Sequence, residues 1–166
     1  MIKYVILNHE IRNKKMKWGT QLTKITDQFE TILKEKQIPL AKRQIKNGQV
    51  SYNGKFQLTK EKALPFGIVF DKEDDISDYQ IVYHQLAFVS NFSKKTAILE
   101  LINELNELQA GYYRICLESD GEIYMRLLGR TSDNVQPLYE MLVTGSTIAK
   151  AVLPRIEEVL NGKDDK

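Results

Sequence analysis

Cys116 and His84 are the one pair in the chain suited to nucleophile-and-base chemistry. His84 stands among Val82, Leu86 and Phe88, where a hydrogen-bonded core histidine is expected, so no catalytic residue is assigned. His9-Glu10 opens a zinc-protease pattern, but position 13 is Asn13 and the second ligand is missing. The acidic stretch Asp71-Lys72-Glu73-Asp74-Asp75 resembles a calcium loop only in charge. Ile76 stands where such a loop needs glycine, and Val82 where it needs a bidentate glutamate. Dinucleotide, phosphate-loop and nucleophile-elbow motifs are absent from the sequence. Gly145, in Leu142-Val-Thr-Gly-Ser-Thr-Ile, lies inside a helical pattern and reads as a packing or kink site. No enzyme, cofactor or metal is expected.

The arginines are more informative. Tyr113, Ile115 and Leu117 on one strand and Ile123, Met125 and Leu127 on the next must share a core face. Directly opposed residues point the same way, so the connecting loop must have an odd number of residues. Ser119-Asp120-Gly121 fits, with Gly121 in the left-handed conformation. The outward pairs are then Glu118 with Glu122, Cys116 with Tyr124, Arg114 with Arg126, and Tyr112 with Leu128. Two opposed arginines repel by up to roughly 1 kcal/mol relative to a neutral pair. Either Glu118, Glu122 and an adjacent strand neutralise them, or Tyr112, Arg114, Tyr124, Arg126 and Leu128 form a protein-contact patch. Tyrosine and arginine are the types enriched where interfaces are tightest.

A second surface is basic. Arg12, Lys14, Lys15 and Lys17, beside Trp18, could hold phosphates, and Lys42, Arg43 and Lys46 extend the set. No nucleic-acid module accompanies them, so nucleic-acid binding is the alternative reading.

The elements that must position these residues follow from periodicity. Trp18, Leu22, Ile25, Phe29, Ile32 and Leu33 make one helical stripe, closed before Pro39. Val50, Tyr52, Phe56 and Leu58 then alternate with Ser51, Lys55 and Gln57 as a strand. Asn47-Gly48 reads as its hairpin turn, with Asn53-Gly54 a competing signal that leaves the register open. Phe66, Ile68 and Phe70 form another strand, and the acidic stretch is its exposed turn. Gln80 to Ser90 carries Val82, Leu86 and Phe88 on one side and Ile81, Tyr83, Ala87 and Val89 on the other. That predicts a central strand covered on both faces. A helix from about Lys94 to Gln109 follows, capped by Ser93, with Ile98, Leu101, Ile102, Leu105 and Leu108 inward. After the hairpin, a last helix runs from about Asn134 to Leu160, capped by Asp133. Its buried side is Val135, Leu138, Leu142, Ala149, Val152, Ile156 and Val159, and Gly145 and Pro154 predict a bend.

The whole is an α+β domain of order helix–strands–helix–β-hairpin–helix, an antiparallel sheet with helices packed on it. The chain's 166 residues suit one domain over 15–161, with a basic extension at 1–14 and a frayed tail at 162–166. Hydrophobic residues at 42% and charged residues at 28% argue for a packed globular chain. The single cysteine excludes an intrachain disulfide, and with no secretory or membrane-spanning stretch in the sequence the expectation is a cytoplasmic protein. The net charge of +2 conceals a split. Residues 1–62 hold 14 Lys/Arg against 5 Asp/Glu, a surplus of +9, and the remainder carries −7. Such a split marks a nucleic-acid face or oppositely charged surfaces that attract a partner or a second copy.

The stretch Ile98-Leu-Glu-Leu-Ile-Asn-Glu-Leu-Asn, the hairpin from Gly111 to Arg126 and the long final helix together resemble the YbjN-like family, over roughly Trp18 to Leu160. The resemblance implies the fold of class I type III secretion chaperones. It also implies a non-enzymatic, often dimeric domain that binds a protein partner.

Overall fold

The computed structural model describes residues 24–74 and 76–162. Three helices and six strands follow in the order α1 (Ile25–Glu35), β1 (Ala41–Gln44), β2 (Val50–Gln57), β3 (Ala63–Phe70), β4 (Ser77–Phe88), α2 (Lys95–Leu108), β5 (Arg114–Leu117), β6 (Glu122–Thr131) and α3 (Gln136–Asn161). The strands form one antiparallel sheet in the spatial order β1-β2-β3-β4-β6-β5. The fold is therefore α+β, as the periodicities require.

The turn before β2 takes the Asn47-Gly48 signal. Both residues adopt positive φ, 67° and 80°, and the Ile45 N–H closes the loop on the Gln49 carbonyl at 2.8 Å. Asn53 and Gly54 instead run straight through β2, paired with Gly67 and Phe66 of β3. Gln37, at φ 55°, reverses the chain after α1, ahead of Pro39.

One hydrophobic core unites the helices with alternate residues of every strand from β2 to β6. Ile25, Phe29 and Leu33 of α1 pack there with Val50, Tyr52, Ile68, Phe70, Tyr83, Ile115 and Met125. Phe29 meets Tyr52 and Phe70 edge-on at 5.2 and 5.4 Å between ring centroids, a favoured quadrupole geometry. The earlier part of the expected first helix, Trp18 and Leu22, lies outside the described residues. Gly145 of α3 is buried because a Cβ there would run into the Tyr83 ring and the Tyr113 hydroxyl. Those hydroxyls donate to the α3 carbonyls of Leu142 and Met141, at 2.5 and 2.8 Å. The glycine is thus a packing site, as its helical context implied.

Three expectations are corrected. β4 is central, but among the described residues all three helices lie on one side of the sheet, and none of them covers its second face. A two-residue bulge explains the misreading. Tyr83 pairs with Met125 and Ala87 with Ile123, so four steps on β4 match two on β6. Gln85 takes φ 56° within the bulge, and Leu86 is turned into the core while Phe88 stays exposed. Leu108, placed in the α2 stripe, is exposed at the helix end. The helix caps also differ. α2 starts after Lys94 and α3 after Val135, neither with a side-chain cap bond. Asn91 instead accepts from the Ser93 N–H at 3.1 Å in the 3-10 turn that leads into α2, and Asn134 Oδ1 receives the Gln136 N–H at 3.2 Å.

Candidate protein-contact face

Alternation divides β5 and β6 cleanly. Ile115, Ile123, Met125 and Leu127 enter the core, leaving Arg114, Cys116, Tyr124, Arg126, Leu128 and Arg130 on the face without helices. The ladder pairs Arg114 with Arg126, Cys116 with Tyr124, and Ile115 with Met125. Gly121 sits at φ 97°, and Glu118 donates its N–H to the Glu122 carbonyl at 2.8 Å. The register and three-residue loop inferred from face matching are those observed.

Tyr112 is the exception. β5 begins only at Arg114, because the chain turns at Gly111 (φ 56°) and Tyr113 N–H bonds the Ala110 carbonyl at 2.9 Å. Tyr112 therefore forms no ladder pair with Leu128. It is instead 73% exposed, and both side chains border the same groove at the sheet edge.

The neighbouring carboxylates do not neutralise the arginine pair. Glu122 accepts from the Gln85 N–H at 2.8 Å and lies 3.3 Å from His84 Nδ1. The Tyr124 hydroxyl has its pKa raised by burial first and then by the nearby Cys116 and Glu118. Asp78 holds Arg130 through two bonds of 2.6 and 3.0 Å, which pull the Asp78 carboxyl below the usual range. Arg114 folds back onto the carbonyls of Tyr113 and Gly111, at 2.9 and 3.3 Å. Among the described residues, no carboxylate pairs with Arg114 or Arg126.

Three further residues belong to this face and escaped the strand-by-strand reading. Val82 is paired with Arg126, Gln80 with Leu128, and Val69 with Gln80. The period-two pattern of β3 and β4 held the signal, but which face the helices leave open did not show in it. His84 is here as well, 52% exposed at its side chain and stacked on Tyr124 with centroids 6.3 Å apart. It is not the core histidine that its apolar neighbours suggested. Cys116 is half-buried beside it in the ladder, its thiol directed at the Arg114 carbonyl.

The basic candidates do not converge. Lys42 points to the helix side, where it donates to Glu30 at 2.7 Å and lies 5.8 Å from the centre of the Tyr52 ring. Arg43, the next residue of β1, alternates to the opposite face, opposite Ser51. Lys46 lies in the turn beyond. Arg12, Lys14, Lys15 and Lys17 lie outside the described residues. Among those residues, no helix is long and apolar enough to cross a membrane.

No protein-family model and no curated protein matches the chain.

Proposed function

We propose that the protein works by binding another protein through the helix-free sheet face, as a non-enzymatic, chaperone-like or regulatory domain. The observation that carries this reading is the directly opposed Arg114–Arg126 pair, which no carboxylate among the described residues neutralises, set among Val82, Tyr124 and Leu128. Two arginines paired directly across a half-apolar sheet favour an acidic or aromatic partner that supplies the missing counter-charge. The element order adds support from the YbjN-like resemblance, which implies protein binding and frequent dimers. The bare second face of β4 supports a homodimer on the same reasoning, since apolar sheet surface is stabilised when a second layer covers it. The nucleic-acid alternative draws less support, because Lys42 is already engaged by Glu30 and Arg43 faces the other way.

The test is a comparison of wild-type protein with the double variant Arg114→Ala, Arg126→Ala in pull-downs from native lysate. The expected result is a partner captured by wild type and lost from the variant. A variant that keeps every partner and its oligomeric state removes the reading.

A further inference from the structure

β5 and β6 differ in length, and the difference leaves a gap in the sheet. β6 spans Glu122–Thr131, but β5 covers it only as far as Arg126. Leu127 to Thr131 are paired with β4 on one side and, among the described residues, have no strand on the other. The bond from Glu118 N–H to the Glu122 carbonyl sets the alternation. In an antiparallel ladder every second residue turns both backbone groups the same way. Leu128 and Arg130 therefore direct N–H and C=O into the gap, and no partner for them is found among the described residues.

The neighbouring edges are guarded. The Asn106 side chain of α2 takes the outward Ile115 N–H at 2.7 Å and donates to the Ile115 carbonyl at 3.0 Å, closing the margin of β5. β1, at the far side of the sheet, carries Lys42 and Arg43 and follows Pro39, features that discourage strand addition. Among the described residues, no side chain closes the Leu128 and Arg130 backbone groups as Asn106 closes those of Ile115. Beside them lies a groove of about 530 Å³, bordered by Tyr79, Tyr112, Leu127, Pro137, Leu138 and Met141. Gly129 opens its floor, because a Cβ there would strike the Tyr79 ring.

We infer that this gap accepts an extended partner segment as an added strand, running in line with β5 and ending against Tyr112. The inference rests on the protein-binding reading above and specifies its ligand. The residue opposite Gly129 drops toward Tyr79, Leu138 and Met141 and is apolar. The residue after it emerges on the helix-free face beside Leu128, within diagonal reach of Arg126, and is acidic. The backbone of the segment satisfies Leu128 and Arg130, and its apolar-then-acidic step supplies specificity, as in other strand-addition complexes.

The experiment uses the full chain and a short fluorescent peptide of threonine and valine with a central leucine–glutamate step. Leu128→Pro deletes an outward N–H without touching the β4 ladder, a position where a strand tolerates proline. Leu128→Thr keeps the N–H and serves as its control. The expected result is saturable binding that weakens by about 10-fold or more in Leu128→Pro and far less in Leu128→Thr, as loss of a buried hydrogen bond implies. Replacing the peptide's glutamate by lysine weakens binding to wild type and restores it to Arg126→Glu. In wild type, hydrogen exchange at the Leu128 and Arg130 amides slows on peptide addition, a measurement independent of how the proline variant folds. Unchanged exchange at those amides up to about 1 mM peptide, the weak end of specific binding, overturns the inference. If a lysate partner nonetheless still depends on Arg114 and Arg126, the face binds by side chains alone and only the added strand is wrong.

Discussion

Glu30 shows how a single residue ties the sheet edge to α1. Its carboxylate accepts from Lys42 at 2.7 Å and from the Tyr52 hydroxyl at 2.8 Å. The bond from Lys42, then that from Tyr52, lowers its pKa. A carboxyl whose pKa is depressed by folding binds its proton more tightly in the unfolded chain. Its stabilisation is thus complete above the unfolded value of about 4.3 and disappears as pH falls through the folded one. Because the side chain is a third exposed, solvent screening holds the effect to about 0.5 kcal/mol. Glu30→Gln should lower stability by that amount at pH 7 and by less at pH 3, as read from urea midpoints at the two pH values. An equal loss at both would assign the effect to packing. Gly145 makes a steric counterpart. Gly145→Ala should destabilise by about 1–3 kcal/mol, since neither the Tyr83 ring nor the Tyr113 hydroxyl can retreat without losing its bond to α3. An unchanged thermal midpoint would show that the helix shifts freely.

At the scale of elements, the hairpin and β4 differ in how far local pattern governs them. The Arg114–Arg126 pairing was legible because core-face matching and loop parity leave one register for a three-residue loop with glycine last. β4 was not, because Gln85 takes a left-handed conformation without being glycine. The residue type does not announce the bulge, which turns Leu86 into the core; because it adds two residues, Ala87 returns to the same face as Tyr83. The same limit hid the end of β5. Tyr112 has the composition of a strand residue, but the turn at Ala110–Tyr113 that joins α2 to β5 removes it from the ladder. The shortened β5 is what exposes the margin of β6, so the groove was invisible to alternation alone.

For the whole molecule, the placement of all three helices on one sheet face gives the open face its meaning. A sheet with one half-apolar face that no described helix covers, and an opposed charge split along the chain, is suited to self-association. Light scattering should therefore find two chains per particle. If the split charges hold the pair, the dimer should weaken as salt shortens the Debye length from about 10 Å at 0.1 M to about 3 Å at 1 M. A single-chain mass at all concentrations removes the dimer while leaving the partner-binding face untouched.

The sequence by itself determined the element order, the class of fold, most of the buried stripes of α2 and α3 and the pairing of the hairpin from Arg114 to Arg126. These depend on periods of 3.6 and 2 that are set within a few residues by backbone geometry. Only the tertiary structure decided which face of the sheet the helices cover, that His84 lies in the open and Leu86 in the core, and that Lys42 and Arg43 part company. It alone shows Glu122 engaged by Gln85 and His84, and no carboxylate among the described residues paired with either arginine. Such choices depend on contacts between residues far apart in the chain, for which a local pattern carries no record.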